Sequence, residues 1–132
     1  MKEKSCGAVV FKNDKVLIVK QNDGHFGFPK GHIEFNETEE ETAIREVKEE
    51  TNVSIDIDSN CRYLVTYSPS EGITKDVVYF LAYAKNDDTI PQEEEISKVM
   101  WLFPEKAFEV LTYDQSRDVL QFVLDYKAMI VK

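Results

Sequence analysis

Apolar and polar positions follow one rhythm in the first fifth of the chain and another in the stretch after it. Ser5 to Lys12 and Lys15 to Gln21 are rich in valine and other apolar residues, and Asn13-Asp14 joins them, so the pair reads as a β-hairpin. From Asn22 to Glu37 the pattern breaks: Gly24, Gly27, Pro29 and Gly31 favour an irregular loop. Thr38 with Glu41 three residues later matches a capping box, and no glycine or proline interrupts Glu39 to Thr51, so a helix is expected there. Asn52, which tolerates the left-handed conformation that closes many helices, marks its end. Val53 to Ile57, Arg62 to Tyr67 and Asp76 to Ala84 read as strands, with Val99 to Leu102 a short further one. Pro104 and Glu105 begin a short helix running to Leu111, and Val119, Phe122, Val123 and Tyr126 trace an apolar stripe on a last helix. Repeats, low-complexity tracts and linkers are absent, so one domain over residues 1–132 is expected. This order of elements predicts the α/β class, a mixed sheet covered by helices on its faces.

Composition narrows the function. Apolar residues make up 42% of the 132-residue chain, enough for a sizeable core. A net charge of -9 argues against non-specific binding of long nucleic acids, which needs a basic surface to displace counterions. The opening MKEKSCGAVVFKND lacks a cleavable-leader pattern and no apolar run reaches membrane-spanning length, so a cytoplasmic protein with no membrane partner is expected. Cys6 and Cys61 form no close pair, so the sequence suggests neither a disulfide framework nor a zinc knuckle.

The acidic groups cluster. Between Glu34 and Glu50 stand eight glutamates against Arg45 and Lys48. On a helix, Glu46, Glu49 and Glu50 fall within an arc of roughly 100°, beside an apolar arc of Ala43, Ile44 and Val47. Like charges three and four residues apart repel, so a solvated acidic face is one reading and a bound cation the other.

The wider spacing favours the cation. Gly31, five residues, Glu37, seven residues, then Arg45-Glu46-Val47-Lys48-Glu49-Glu50-Thr51-Asn52-Val53 resembles the Nudix box at every charged position. One departure is Asn52, where the box has glycine; asparagine also tolerates the left-handed conformation. The resemblance implies the Nudix α/β/α sandwich and metal-assisted hydrolysis of a phosphoanhydride by water. It implies that Glu46, Glu49 and Glu50 hold divalent metal with the carbonyl of Gly31. It also implies that one of these carboxylates is the base, a role that differs among family members and is assigned here to Glu46, with Arg45 and Glu37 as supports, the arginine fork orienting Glu49 one turn on or Glu37 across the loop. Mg²⁺ is the expected ion, with Mn²⁺ able to substitute. Family members often add an acidic ligand ahead of a tryptophan-bearing strand. Of Glu93, Glu94 and Glu95, which precede Trp101, Glu95 has the best spacing, against the reading of a solvated acidic run.

The residues ahead of the box, Phe26-Gly27-Phe28-Pro29-Lys30-Gly31-His32, contain a PKGH core similar to the asymmetric diadenosine tetraphosphate hydrolases of that family, with related PKG sequences in diphosphoinositol polyphosphate hydrolases. By that resemblance Lys30, His32 and Lys75 meet phosphate, while Phe26, Tyr79 and Tyr113 hold a base; the alternatives are a surface lysine, a loop-capping histidine and core aromatics. The expected partner is a small nucleotide. Other substrates remain open at this stage, among them a nucleoside triphosphate or an RNA 5′ end, and so does a nucleotide-sensing module without catalysis.

Overall fold

The computed structural model describes residues 1–130; the last two residues of the expected domain lie outside it. The hairpin strands are β1 (Lys2–Lys12) and β2 (Lys15–Gln21), with Asn13 at φ 55° in the turn. Two short strands follow, β3 (Phe26–Gly27) and β4 (Lys30–His32), then α1 (Glu39–Thr51), β5 (Ile55–Ser70), β6 (Ile73–Ala84) and β7 (Ile96–Leu102). Helices α2 (Pro104–Val110) and α3 (Asp114–Ile130) complete the described chain.

One mixed sheet runs β3-β2-β1-β6-β5, with β4 also pairing β1 and β7 also pairing β2. β1 lies parallel to β6 from Lys2↔Thr74 to Phe11↔Tyr83, while its other pairings are antiparallel. Alternation along β1 sorts its side chains between two layers. Val9 and Phe11 join Ala107, Leu111, Val119, Leu120 and Val123 in the core beneath α2 and α3. Ala8 and Val10 meet Val47, and Cys6 meets Ala43, on the face covered by α1. The result is the expected α/β/α sandwich.

Several expectations change in detail. Lys30–His32 pairs with Ser5–Gly7 inside the segment expected to be a loop, because Gly7 lets the Pro29–Lys30 backbone close on β1: a Cβ there would stand 2.2 Å from the Pro29 carbonyl oxygen. β5 is one long strand where two were expected, its pairing with β6 shifting register between Asp58 and Arg62. Ile44 is 42% exposed: the buried line of α1 is Ala43, Val47 and Glu50, at positions i, i+4 and i+7. Phe122 likewise lies outward, tilted against Tyr63 at 4.9 Å, while Leu120 is buried in its stead. Among the described residues no helix is long and apolar enough to cross a membrane.

Candidate active site

The loop-helix start is fixed by its caps. Thr38 accepts from the Glu41 backbone at 3.1 Å while Glu41 accepts from the Thr38 backbone at 2.8 Å, completing the capping box. At the other end Asn52 takes φ 68°, the left-handed cap in which asparagine replaces glycine, and its amide donates to the Asp88 carbonyl at 3.2 Å. Glu39 ties the first turn to the sheet, receiving both Arg62 donors at 2.8 Å and Lys4 at 2.6 Å.

Arg45 organises the acidic edge. It donates to Glu37 through Nε at 2.7 Å, to Glu46 at 2.7 Å, to Glu49 at 3.2 Å and to the His32 carbonyl at 2.9 Å. Both carboxylates that the sequence offered as its partners, Glu37 and Glu49, therefore receive it. Glu37 also accepts from the Glu34 backbone and Thr42, and the Arg45 bond holds its carboxyl down to about 2. Glu46 is pressed against β4: a Cβ on Gly31 would stand 2.0 Å from its carboxyl carbon. Glu50, only 6% exposed, accepts from the Lys30 backbone, and burial, then the charge of Glu46, pushes its carboxyl up to about 8.

Two adjoining cavities open beside this edge. The polar one, about 360 Å³, brings together Lys30, Gly31, His32, Glu50, Lys75 and Glu95. All three carbonyls of Glu93, Glu94 and Glu95 accept from Asn22, and of the three residues Glu95 is the one that lines the cavity and acts electrostatically on Glu50. The larger, about 560 Å³, is lined by aromatic and apolar residues that include Phe26, Val65, Tyr67, Tyr79 and Tyr113. Lys30 and Lys75 belong to both cavities. Lys30 has its pKa lowered by burial and then by Lys75, so two ammonium groups share a small space.

The candidate base-holding residues do not stand alike. Tyr113 is 52% exposed, and its hydroxyl lies 3.1 Å from His25 Nδ1. Phe26 is held in β3 by mutual bonds with Thr112. Tyr79 is 7% exposed and meets Phe28 edge-on at 5.7 Å, which makes it floor and not an open stacking face. His32 is largely exposed at the rim. Sequence reasoning missed Tyr67, which stands opposite Lys75 in the β5–β6 ladder; its alternation with Val65 was the available signal. It also missed His25, hidden in a glycine-rich segment with no periodicity.

The donor set suits a hard divalent cation. The groups with the carboxylate and carbonyl chemistry that such an ion prefers include the side chains of Glu46, Glu49, Glu50 and Glu95 and the carbonyl of Gly31, with the His32 imidazole the one nitrogen ligand type in the polar cavity. The charges of Glu46 and Glu95 both raise Glu50, which is the unbalanced negative charge that a cation offsets. Among the described residues, Arg45 bonds Glu46 and Glu49, and no three acidic, histidine or cysteine side chains converge into one cluster.

Fold and site together define a small α/β domain whose carboxylate-bearing loop and helix border a polar cleft. The NUDIX domain model matches residues 1–122, and the chain belongs to the Nudix family. It is 32% identical over 100 residues to the asymmetrical bis(5′-nucleosyl)-tetraphosphatase of Caenorhabditis elegans, covering 74% of this chain and 72% of that protein. The mouse enzyme of the same name is 28% identical over 134 residues, covering 89% and 90%. Among solved structures, a C. elegans Ap4A hydrolase binary complex superposes with a TM-score of 0.86 at 28% identity, over 97% of this chain and 99% of that one. Membership of this family and these relatives make the chain a pyrophosphohydrolase.

Proposed function

We propose that the chain is a single-domain, Mg²⁺-dependent hydrolase of dinucleoside polyphosphates, with Mn²⁺ able to substitute, that converts diadenosine tetraphosphate and water to ATP and AMP. The observation that carries this reading is the pair of cavities sharing Lys30 and Lys75: an aromatic chamber with ample room for a base adjoins a polar cleft that reaches Glu50 and Glu95. The names of the C. elegans and mouse relatives point the same way.

In this reading Tyr113, Phe26 and Tyr67 flank the base over the floor made by Tyr79, and Lys30, Lys75 and His32 meet the phosphates. Glu46, Glu49, Glu50, Glu95 and the Gly31 carbonyl hold the metal. When bound, the metal supplies positive charge to phosphate oxygens and to water. Water attacks phosphorus, the P–O bond of the anhydride breaks, and the water's proton passes to Glu46. Arg45, anchored by Glu37, positions that carboxylate. The buried free thiols of Cys6 and Cys61, each pushed up to about 11 by burial, suit a reducing cytoplasm.

The test is a substrate comparison under Mg²⁺. The kcat/KM for diadenosine tetraphosphate should exceed that for ATP, an 8-oxo nucleoside triphosphate and an RNA 5′ end. A higher value for any of these would replace the dinucleotide reading with theirs.

A further inference from the structure

Ser5 is fully buried, and its hydroxyl is the one side-chain polar atom among the described residues that is buried without a hydrogen-bond partner. Buried hydroxyls nearly always find a partner, since leaving one unmet forfeits its hydration with nothing in return. Backbone alternation places Ser5 on the cavity face of β1: it pairs with His32 of β4 on one side and Val77 of β6 on the other. Val77 and Tyr79 on β6, in parallel register with Ser5 and Gly7, line the aromatic chamber. Ser5 itself lines the polar cavity with Lys30 and Lys75.

What surrounds the hydroxyl determines what it lacks. The two ammonium groups in this cavity are donors only, and Ser5 Oγ makes no hydrogen bond to a carbonyl or carboxylate oxygen of the protein. The hydroxyl proton therefore needs an acceptor that the protein does not provide. An anion drawn in by Lys30 and Lys75 brings such acceptors; Ser5 is fully covered, so meeting them takes a χ1 rotation together with a shift of the cavity lining over it.

We propose that Ser5 is a substrate-binding residue: its hydroxyl donates to a phosphate oxygen of the bound nucleotide, a third donor beside Lys30 and Lys75 on the polyphosphate. This rests on the proposed position of the phosphates in the polar cavity. No protein group competes with the phosphate for this hydroxyl, because Ser5 Oγ has no hydrogen-bond partner within the protein. Occupation of the cleft is thereby favoured at no cost in broken protein hydrogen bonds.

Ser5→Ala removes the hydroxyl without adding volume. Binding is measured by calorimetry under Mg²⁺ with a methylene-bridged, non-hydrolysable diadenosine tetraphosphate and, separately, with inorganic tripolyphosphate; thermal unfolding of the free enzyme is measured alongside. The variant should bind both probes about tenfold more weakly, ~1.4 kcal/mol, with the Tm of the free enzyme unchanged or raised. Unchanged affinity for both probes overturns the assignment whatever the Tm does. A lowered Tm also overturns it, since the hydroxyl would then be bonded in the free protein. If the wild-type enzyme binds neither probe, the phosphate position itself is wrong and the role of Ser5 falls with it; if the wild type binds and the variant binds equally, Ser5 alone is misassigned.

Discussion

Gly31→Ala separates chemistry from folding at a single methyl group. The new Cβ would stand 2.0 Å from the carboxyl carbon of Glu46 and 2.1 Å from its Oε1. Ordinary contact begins at 3.4 Å, so the carboxylate has to retreat by about 1.4 Å, against the 2.7 Å bond that Arg45 makes to it. The displaced group is the end of a flexible side chain, and alanine in place of glycine restricts the unfolded chain by ~0.4–1 kcal/mol, so net stability should change by no more than about 1 kcal/mol. Misplacing a reacting group by ~1 Å costs about 10²-fold in rate, and kcat should fall by that order. Gly7→Ala is the contrasting control: its Cβ would meet the Pro29 carbonyl oxygen at 2.2 Å, which is backbone and has nowhere to go. That variant should lose ~3 kcal/mol or more, or fail to fold. Urea unfolding and steady-state hydrolysis of diadenosine tetraphosphate measure the two effects. Wild-type kcat in Gly31→Ala, or a stability loss matching that of Gly7→Ala, would refute the placement of Glu46.

Three further outcomes are expected. Chelation should abolish turnover, and Glu50→Gln should lower kcat by roughly 10²–10⁴, since it removes an anionic oxygen and keeps the shape; near-wild-type turnover under Mg²⁺ would contradict its role. Glu39, held down to about 2 from 4.5 by Arg62 and then Lys4, contributes stability that is complete above pH 4.5 and lost as pH falls through 2. Glu39→Gln should therefore cost ~1 kcal/mol at neutral pH, allowing for solvent screening, and flatten that acid limb; an unchanged pH–stability curve would count against the link. Asn52→Gly should stay within about 1 kcal/mol of wild type, while Asn52→Val should lose more, because a β-branched residue resists positive φ; equal thermal unfolding of the two would remove the cap argument.

The local signals in the sequence were the readable ones. The Thr38–Glu41 box, Asn52 and the hairpin turn each act within a few residues, and each is found in place. Pairings across long separations were not readable. The parallel contact of β1 with β6 joins Lys2 to Thr74 and depends on packing, not on any local pattern. Lys30–His32 reads as loop because proline and glycine surround it, yet it is a strand because Gly7 opposite has no side chain to keep it away. Continuous β5 was hidden by the polar run at Asp58, Ser59 and Asn60, where a register shift keeps the strand going. In the site, helical spacing put three glutamates on one arc, but spacing alone did not reveal that Glu50 continues the buried line of Ala43 and Val47. Ser5 carried no sequence signal at all, since an orphaned hydroxyl is defined by what surrounds it in space.

The proposed reaction is asymmetric hydrolysis of a dinucleoside tetraphosphate at the acidic edge. Its most direct measurement follows pure enzyme with diadenosine tetraphosphate and Mg²⁺, products resolved by chromatography over time and a parallel reaction carried out in chelator. ATP and AMP should appear in equal amounts from the first time point, with no product under chelation. Two equivalents of ADP, equal turnover under chelation, or no turnover of the dinucleotide while a nucleoside triphosphate is consumed would contradict it.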